Sequence, residues 1–466
     1  MFLFSKKSLL FLVLFMAILR GEAQDSLRMS LDDAVNYAMK NSNSIKNTQT
    51  GVRDAELLIK ENLATGLPQV NGELGYNYFY LVPKVIFPDF FTPAVTGILS
   101  GNNVKNSATN EVIKLQAPGA GSKTSFQQKN TLSAGITASQ LIYSGSYNVA
   151  LKASRLARQL ANVQLTAKQA EVRNQVMDAY LPGLLITESL KTLDKNIENL
   201  EKLLKEVKAT YKAGFVEQLD VDRLELSLAN LQSERDNIDR QQGLVLNALK
   251  MVIGYPMDKG LELMDNINSL MIPAPNEDLV GQIDFSKRAE YAVLNTVEQL
   301  NGLNVELQKA TAYPTIAGFA SFAENLQTDN FFSKPVSSLP TGVVGFSAKI
   351  NIWDSNIRKT KVERAKIALE QLKYQKSDFE RAVTLQVLNA RIAYTNAQRR
   401  LESQKKNEAL AERIHTTTQT KYKNGIGSSL EITTAEQQLY QSQQNVRQAQ
   451  FDLLSAQKGL QKALGK

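Results

Sequence analysis

A mainly α-helical chain with a small β contribution from four strands is predicted from three observations. The sequence repeats itself: Tyr211-Lys212-Ala213-Gly214 recurs as Tyr422-Lys423-Asn424-Gly425, and Leu219-Asp220 as Leu430-Glu431, both 211 residues on. Each copy contains a long, proline-poor stretch with a narrow coiled-coil seam. Each copy also holds a pair of short segments whose polarity alternates with a period of two, the mark of a strand with one apolar and one wet face.

Composition sets bounds on this reading. The 466 residues are 43% hydrophobic, 7% aromatic and 21% charged, with 12 Pro and 25 Gly. Such values permit long helices around a modest core. The absence of cysteine excludes disulfides, thiolate metal sites, thiol catalysis and lipid attachment through a cysteine. At the N-terminus, Lys6 and Lys7 precede an apolar run from Leu9 to Leu19 and the small-residue site Gly21-Glu22-Ala23. Residues 1–23 read as a secretory signal, too short to span a bilayer of roughly 30 Å. Its removal takes away three positive charges and one negative, lowering the formal net charge from +8 to +6. The remaining Lys and Arg residues lie beside Glu and Asp along the helices, so no nucleic-acid partner is expected. No stretch after residue 24 is apolar enough for a spanning helix, so a membrane crossing would require β-strands.

The elements follow in order. Repeat 1 covers residues 24–253 and opens at Ser30-Leu31-Asp32-Asp33-Ala34, where Ser30 suits an N-cap and the acids the positive first turn. Helical pattern runs to about Gly66 and breaks at Leu67-Pro68. Period-two patterning follows: Val70, Leu74, Tyr76, Tyr78 and Tyr80 alternate with Asn71, Glu73 and Asn77. A second run sets Leu132, Ala134, Ile136 and Ala138 against Ser133, Thr137 and Ser139, within a hairpin spanning 68–143. Residues 81–131, rich in Pro, Gly, Ser and Asn, read as a long surface loop.

A helix then runs through Pro182 to about Tyr211. Heptad counting from Val149 to Leu184 finds ten of eleven positions apolar, Asn174 excepted. Residues 147–211, and 357–421 in the second copy, would each make a rod of about 100 Å at roughly 1.5 Å per residue. Because the seam is narrow, two faces of these helices should stay wet. A glycine turn at 214 or 425 leads to a shorter helix, from about 219 to 253 in the first copy.

Residues 254–286 link the copies. Repeat 2, residues 287–466, gives the same order: a helix ending at Tyr313-Pro314, a weak strand over about 315–323, a loop, and a clear strand. That last strand sets Val344, Phe346, Ala348, Ile350 and Ile352 against Ser347, Lys349 and Asn351, within a hairpin spanning 314–353. In its long helix, nine of eleven seam positions from Val362 to Ala397 are apolar, the exceptions being Lys376 and Gln386.

Four strands cannot close a transmembrane barrel, for which about eight is the lower limit. Open edges in lipid would leave backbone groups unpaired. Several chains would therefore have to pool their strands.

Taken together, Leu31-Asp32-Asp33-Ala34, Asn41-Ser42-Asn43-Ser44-Ile45, Leu67-Pro68, Tyr313-Pro314, Leu141-Ile142-Tyr143-Ser144-Gly145 and Ile352-Trp353-Asp354-Ser355 resemble the TolC-type outer-membrane efflux channels. The duplicated Tyr-Lys-x-Gly turns and Ile253-Gly254-Tyr255-Pro256 complete the resemblance, which covers essentially all of the mature chain. It implies a homotrimer in outer-membrane lipid, with a shared 12-stranded transmembrane β-barrel continued by a periplasmic α-barrel of coiled-coil helices. It further implies a passive exit duct of a tripartite efflux or type I secretion system. Such a duct is opened when a periplasmic adaptor and an inner-membrane RND or ABC-type pump dock.

Carried over position by position, Glu431 falls where the family usually has its first ring Asp. Thr434 falls where a second Asp often sits, so one acidic ring is missing. Asp220, Glu431 and Thr434 are thus constriction candidates. Gly214 and Gly425, with Tyr211, Lys212, Tyr422, Lys423 and Ser428, are candidates for the adaptor-docking tips. The plainer alternative is that the glycines and acids only terminate and cap helices.

No catalysis, cofactor or metal is expected. Gly119-Ala120-Gly121-Ser122-Lys123-Thr124 lacks phosphate-loop spacing and context, Gly425-Ile426-Gly427 is a fragment of a dinucleotide fingerprint, and His415 is the single histidine. The competing class is a structural periplasmic coiled-coil protein without transport activity. That reading gives no reason for four alternating segments placed symmetrically between long helices.

Overall fold

The duplication is visible in the backbone. In this computed structural model, which describes residues 27–125, 127–273, 275–330 and 336–466, each copy contributes one very long helix and one of half its length. The expected signal segment, 1–23, lies outside the described residues. The elements are β1 (Leu27–Met29), α1 (Leu31–Asn41), α2 (Asn43–Ala64), β2 (Gln69–Tyr78), β3 (Val85–Phe87), α3 (Phe91–Gly101), β4 (Ser122–Thr124) and β5 (Asn130–Ser144). Next come α4 (Gly145–Lys212), α5 (Gln218–Ile253), β6 (Leu261–Leu263), α6 (Ile267–Leu270), α7 (Asn276–Val280) and α8 (Ala289–Ala310). The chain closes with β7 (Thr315–Thr328), β8 (Ser337–Lys349), α9 (Ile357–Lys423) and α10 (Ser429–Leu464).

Two compact units cut across the repeats. The first holds residues up to Leu58 together with Ala153–Asn304 and Arg364–Lys466; the second holds Ile59–Lys152 and Val305–Glu363.

In the first unit, α1 starts as expected. Ser30 Oγ accepts from the Asp33 amide and Asp33 Oδ2 accepts from the Ser30 amide, a reciprocal capping box. The single helix expected from 31 to about 66 is in fact two. Ser42 leaves the helical region (φ −59°, ψ 127°) and separates α1 from α2.

The main core gathers Ile45, Tyr180, Leu184, Leu249, Ile253 and Leu454. Burial of a side chain of this size contributes about 1.5–3 kcal/mol each. The segment linking the copies is more structured than its sequence suggests, because β6 pairs in parallel with β1, Leu27 opposite Leu261. Helix α4 continues through Pro182, and α5 and α10 both have 36 residues. Each ends on a glycine in the left-handed region, Gly254 (φ 75°) and Gly465 (φ 74°), again 211 residues apart. The wet faces expected of the long helices are present: α9 buries eight of its 67 residues.

The second unit carries a four-stranded antiparallel sheet in the order β2-β5-β7-β8. Three expectations are corrected here. The stretch 81–131 is not simply a loop. It contains the β3–β4 pair and α3, whose first turn is held by Asp89 Oδ1 accepting from the Thr92 amide, and whose Pro93 sits where a missing N–H is harmless. The weak strand over 315–323 extends to Thr328 as β7, because β5 and β8 pair with it on both sides. The last strand stops at Lys349, which pairs with Thr315. Pro314 precedes Thr315, so the β7 ladder begins there, and Ile350 and Ile352 lie beyond the sheet. Tyr80 likewise lies past the end of β2.

Candidate functional site: an amphipathic sheet and two helix tips

The sheet has two chemically distinct faces, set by register. Val70, Ala138, Ala320 and Val344 form one row across all four strands, and Gly72, Ile136, Phe322 and Gly342 the next row but one along each strand. Leu74 and Tyr76 continue this face beside Ala134 and Leu132. The alternate rows are wetter: Asn71, Thr137 and Ser321 lie side by side, as do Asn77, Thr131, Gln327 and Ser337.

Apolar side chains on the first face are open to their surroundings, Val344 being 86% and Phe346 79% exposed. In water such a face would drive aggregation; in a bilayer it is the required solvent contact. The strands are 10, 15, 14 and 13 residues long, enough for the 9–11 or so that a tilted strand needs to cross hydrocarbon. No described helix is long and apolar enough to do so. Among the described residues of the chain, β2 and β8 each have one neighbour only, so both outer edges of the sheet are open.

The tips have the same backbone in both copies. At the end of α4 the Gly214 amide donates to Tyr211 O (2.9 Å) and the Phe215 amide to Thr210 O (3.1 Å). At the end of α9 the Gly425 amide donates to Tyr422 O (3.0 Å) and the Ile426 amide to Lys421 O (3.0 Å). Both glycines are left-handed, φ 83° and 73°. A side chain at either would meet nothing within 4 Å, so glycine is needed there for its torsion and not for space.

The helices that follow are capped in different ways. The Glu217 amide donates to Asp220 Oδ2 (3.3 Å), whereas Ser428 Oγ accepts from the Glu431 amide (3.2 Å). Thr434 Oγ1 donates to the Leu430 carbonyl (2.7 Å). Asp220 and Ser428 therefore have a capping role whatever else they do. Glu431 and Thr434 are exposed, and Asp220 is half-buried.

The two tips share one apolar cluster, in which Ile432 of the second copy lies among Leu200, Leu204, Val207, Val221 and Leu224 of the first. Tyr422 packs against this cluster, while its counterpart Tyr211 is exposed. Burial, and secondarily the charge of Asp220, raises the Tyr422 phenol above its ordinary pKa. At the tips, polar links between the copies include Lys423 Nζ to Glu206 Oε2 (2.9 Å) and Arg223 Nη1 donating to Ser429 Oγ (3.0 Å). Lys212 is exposed at the end of α4.

The structure thus brings Asp220, Tyr422 and Lys423 into one neighbourhood. It adds Glu206, Arg223 and Ser429, whose partners on other helices could not be read from spacing. It also adds Phe215 and Ile426, directly after the turn glycines and 82% and 80% exposed. An apolar residue following each turn glycine was the signal available for these two.

Comparison with known proteins agrees with this geometry. A family described as "Outer membrane efflux protein" matches residues 90–255 and 299–466. The pyoverdine export outer membrane protein OpmQ of Pseudomonas aeruginosa is 25% identical over 323 residues, spanning 68% of this chain and 64% of that protein. OpmQ of Pseudomonas putida is 23% identical over 329 residues, again 68% and 64%. The chain therefore matches just under two thirds of the length of these relatives.

Among solved structures, CusC superposes with a TM-score of 0.67 at 15% identity, covering 93% of this chain and 92% of that one. The outer membrane protein VceC from Vibrio cholerae gives a TM-score of 0.65 at 14% identity, covering 93% and 96%. These likenesses extend to both the helices and the strands, and since the family match takes in most of both repeats, this chain belongs to the outer membrane efflux protein family.

Proposed function

We propose that this chain is the outer-membrane exit duct of a tripartite efflux or type I secretion system. It acts as a passive conduit and does no chemistry itself. The observation that carries the reading is the four-stranded sheet, with an exposed apolar face, a polar face and two open edges. In lipid the edges must find partners, because each unpaired backbone group would cost several kcal/mol. Three copies supply twelve strands and close the ring, with the apolar rows facing lipid and the Asn, Ser and Thr rows facing the lumen.

Residues 24–253 and 287–466 are then two structural repeats, each placing one hairpin in the barrel and one helix pair in a periplasmic tunnel. Residues 254–286 form the equatorial segment between them. We assign the paired tips to the periplasmic end of that tunnel. There Asp220, Glu431 and Thr434 surround the constriction, with the exposed turns at Gly214 and Gly425 available to a periplasmic adaptor coupled to an RND or ABC-type pump. The shared apolar cluster and the polar links between copies support closure at this end, since a helix pair that moves outward must break or carry them.

Reconstitution tests the reading. Detergent-solubilised protein should migrate as a heat-modifiable trimer and conduct ions across planar bilayers. A water-soluble monomer without conductance would instead favour a structural coiled-coil protein.

A further inference from the structure

Residues 81–131 have no task in the duct proposed above. They join β2 to β5 at the end of the sheet away from the helices, because α2 enters β2 and β5 leaves into α4 at the opposite end. In the proposed barrel this is the outer side of the membrane. By contrast, residues 329–336 alone join β7 to β8.

Polar groups of the long connection bond to one another. Thr96 Oγ1 accepts from the Gln116 amide (3.1 Å), and Asp89 accepts from the Thr92 amide on one oxygen and the Gly119 amide (3.1 Å) on the other. The Ile113 amide donates to the Val104 carbonyl (2.9 Å), and β3 pairs with β4. With these bonds closed, α3 is left with an apolar stripe facing out. Phe91, Val95 and Ile98 recur at i, i+4 and i+7, on one side of the helix. Phe91 is 73% and Ile98 65% exposed, and Phe90, Ile86 and Leu115 are exposed as well. No charged residue interrupts α3. The chain reaches this helix through Tyr80 and Leu81, both exposed, and Tyr80 keeps the alternation of Leu74, Tyr76 and Tyr78 on the apolar face of the sheet.

The same segment is basic. Lys84, Lys105, Lys114, Lys123 and Lys129 are all exposed, and the acids are only Asp89 and Glu111, a net charge of +3. Two occupants could cover the stripe: its counterparts from neighbouring chains, closing over the mouth, or lipid. Charge decides between them. Three loops drawn together over one axis would crowd three like charges of +3, whereas an anionic headgroup surface would neutralise each loop.

We propose that α3 is an interfacial helix, with the side bearing Phe91, Val95 and Ile98 in the outer boundary of the bilayer beside the barrel. The lysines of the same loop hold phosphate-bearing headgroups there. This inference rests on the outer-membrane duct reading, and it gives the first hairpin an anchoring task that the second is too short to share.

Because the chain has no cysteine, one nitroxide label can be placed at a time. Ile98→Cys, Val344→Cys on the apolar sheet face and Ser107→Cys in the polar part of the loop are each labelled in the full chain. Trimers are reconstituted into vesicles of phosphatidylcholine and phosphatidylglycerol in equal parts, and into phosphatidylcholine alone. Electron paramagnetic resonance reads collisions with oxygen, which concentrates in lipid, and with a water-soluble nickel chelate. In the anionic vesicles the label at 98 should match that at 344, losing most of the nickel collisions seen at 107 and gaining oxygen collisions. Neutral vesicles, or the combined changes Lys105→Gln, Lys114→Gln and Lys123→Gln, should return it towards the behaviour of 107. Three results would overturn the inference while a lipid-exposed label at 344 leaves the barrel standing. They are nickel access at 98 equal to that at 107, shielding from both reagents (the mark of packing between copies), and protection indifferent to lipid charge. A label at 344 that is itself open to nickel would overturn the barrel and this inference with it.

Discussion

Lys423 Nζ lies 2.9 Å from Glu206 Oε2, tying the end of α9 in the second copy to the last two turns of α4 in the first. Both side chains are about half exposed, 49% and 56%, so solvent screens the pair and its direct worth is within about 0.2–1 kcal/mol. Lys423→Glu should therefore scarcely move the thermal midpoint. In planar bilayers it should raise the mean conductance of the closed channel, because repulsion replaces attraction at the tip. The exchange Lys423→Glu with Glu206→Lys should restore wild-type conductance. A double variant as leaky as the single one would show that the pair does not hold the tips.

Gly425 tests the docking assignment. Its φ of 73° strains any L side chain by about 1–2 kcal/mol, yet nothing lies within 4 Å of where a Cβ would point. Gly425→Trp should accordingly leave trimers intact by size-exclusion chromatography while abolishing adaptor co-purification and efflux. Normal efflux in that variant would refute the tip assignment.

Tyr180 holds β1 and the segment linking the copies onto the core. It is fully buried, and its hydroxyl lies 2.9 Å from Asp265 Oδ2 and 3.1 Å from the Met29 carbonyl. Burial first, and Asp265 second, pushes its phenol well above the ordinary range. The neutral form is thus favoured in the fold. Its contribution is complete below the unfolded pKa of about 10 and is lost as pH rises beyond that value. Tyr180→Phe should cost about 1–3 kcal/mol near neutrality and should flatten the fall in thermal midpoint above pH 10 or so. An unchanged alkaline slope in the variant would place that titration elsewhere.

Two glycine substitutions should move stability in opposite directions. A Cβ on Gly145, where β5 gives way to α4, would come within 2.8 Å of Tyr313 Cβ and 2.9 Å of the Ala310 carbonyl. Gly145→Ala should cost about 1–3 kcal/mol through overpacking. Gly243 is in the interior of α5 with open space around it, so Gly243→Ala should stabilise by about 0.5–1 kcal/mol. Thermal unfolding of the two variants beside wild type checks both signs.

What could be read from the sequence was whatever repeats with a period. The alternation in β2 and β5 and the paired glycine turns recur in the structure, and the α9 seam buries Ala365, Leu372, Val383 and Ala397; the α4 seam is buried only at Leu181 and Leu184, with Val172, Val176 and Tyr180 buried beside it instead. Elements shorter than a period were invisible. The strand Leu27–Met29 exists because Leu261–Leu263 lies beside it, and Ser42 breaks a helix whose pattern continues across it. In the stretch 81–131, turn-rich composition masked the 11 residues of α3.

At the tips, residue types and spacing marked Gly214, Gly425, Asp220 and Glu431. The burial of Tyr422 against the exposure of Tyr211 depends on packing between copies, which no local pattern encodes. Glu206, Arg223 and Ser429 escaped for the same reason: each acquires its partner only when helices far apart in sequence meet.

A closed barrel requires above all that the two open edges, β2 and β8, meet between chains. Because the chain has no cysteine, a pair of introduced ones can be cross-linked without background. One is placed on the polar rows of β2 (Asn71, Glu73 or Asn77) and one on the matching rows of β8 (Val343, Thr341 or Ser337). Oxidation in isolated outer membranes, followed by denaturing electrophoresis, should give a ladder that ends at a covalent trimer for the pairs in register. Monomers at every pair, or a ladder climbing past three chains, would contradict a closed twelve-stranded barrel.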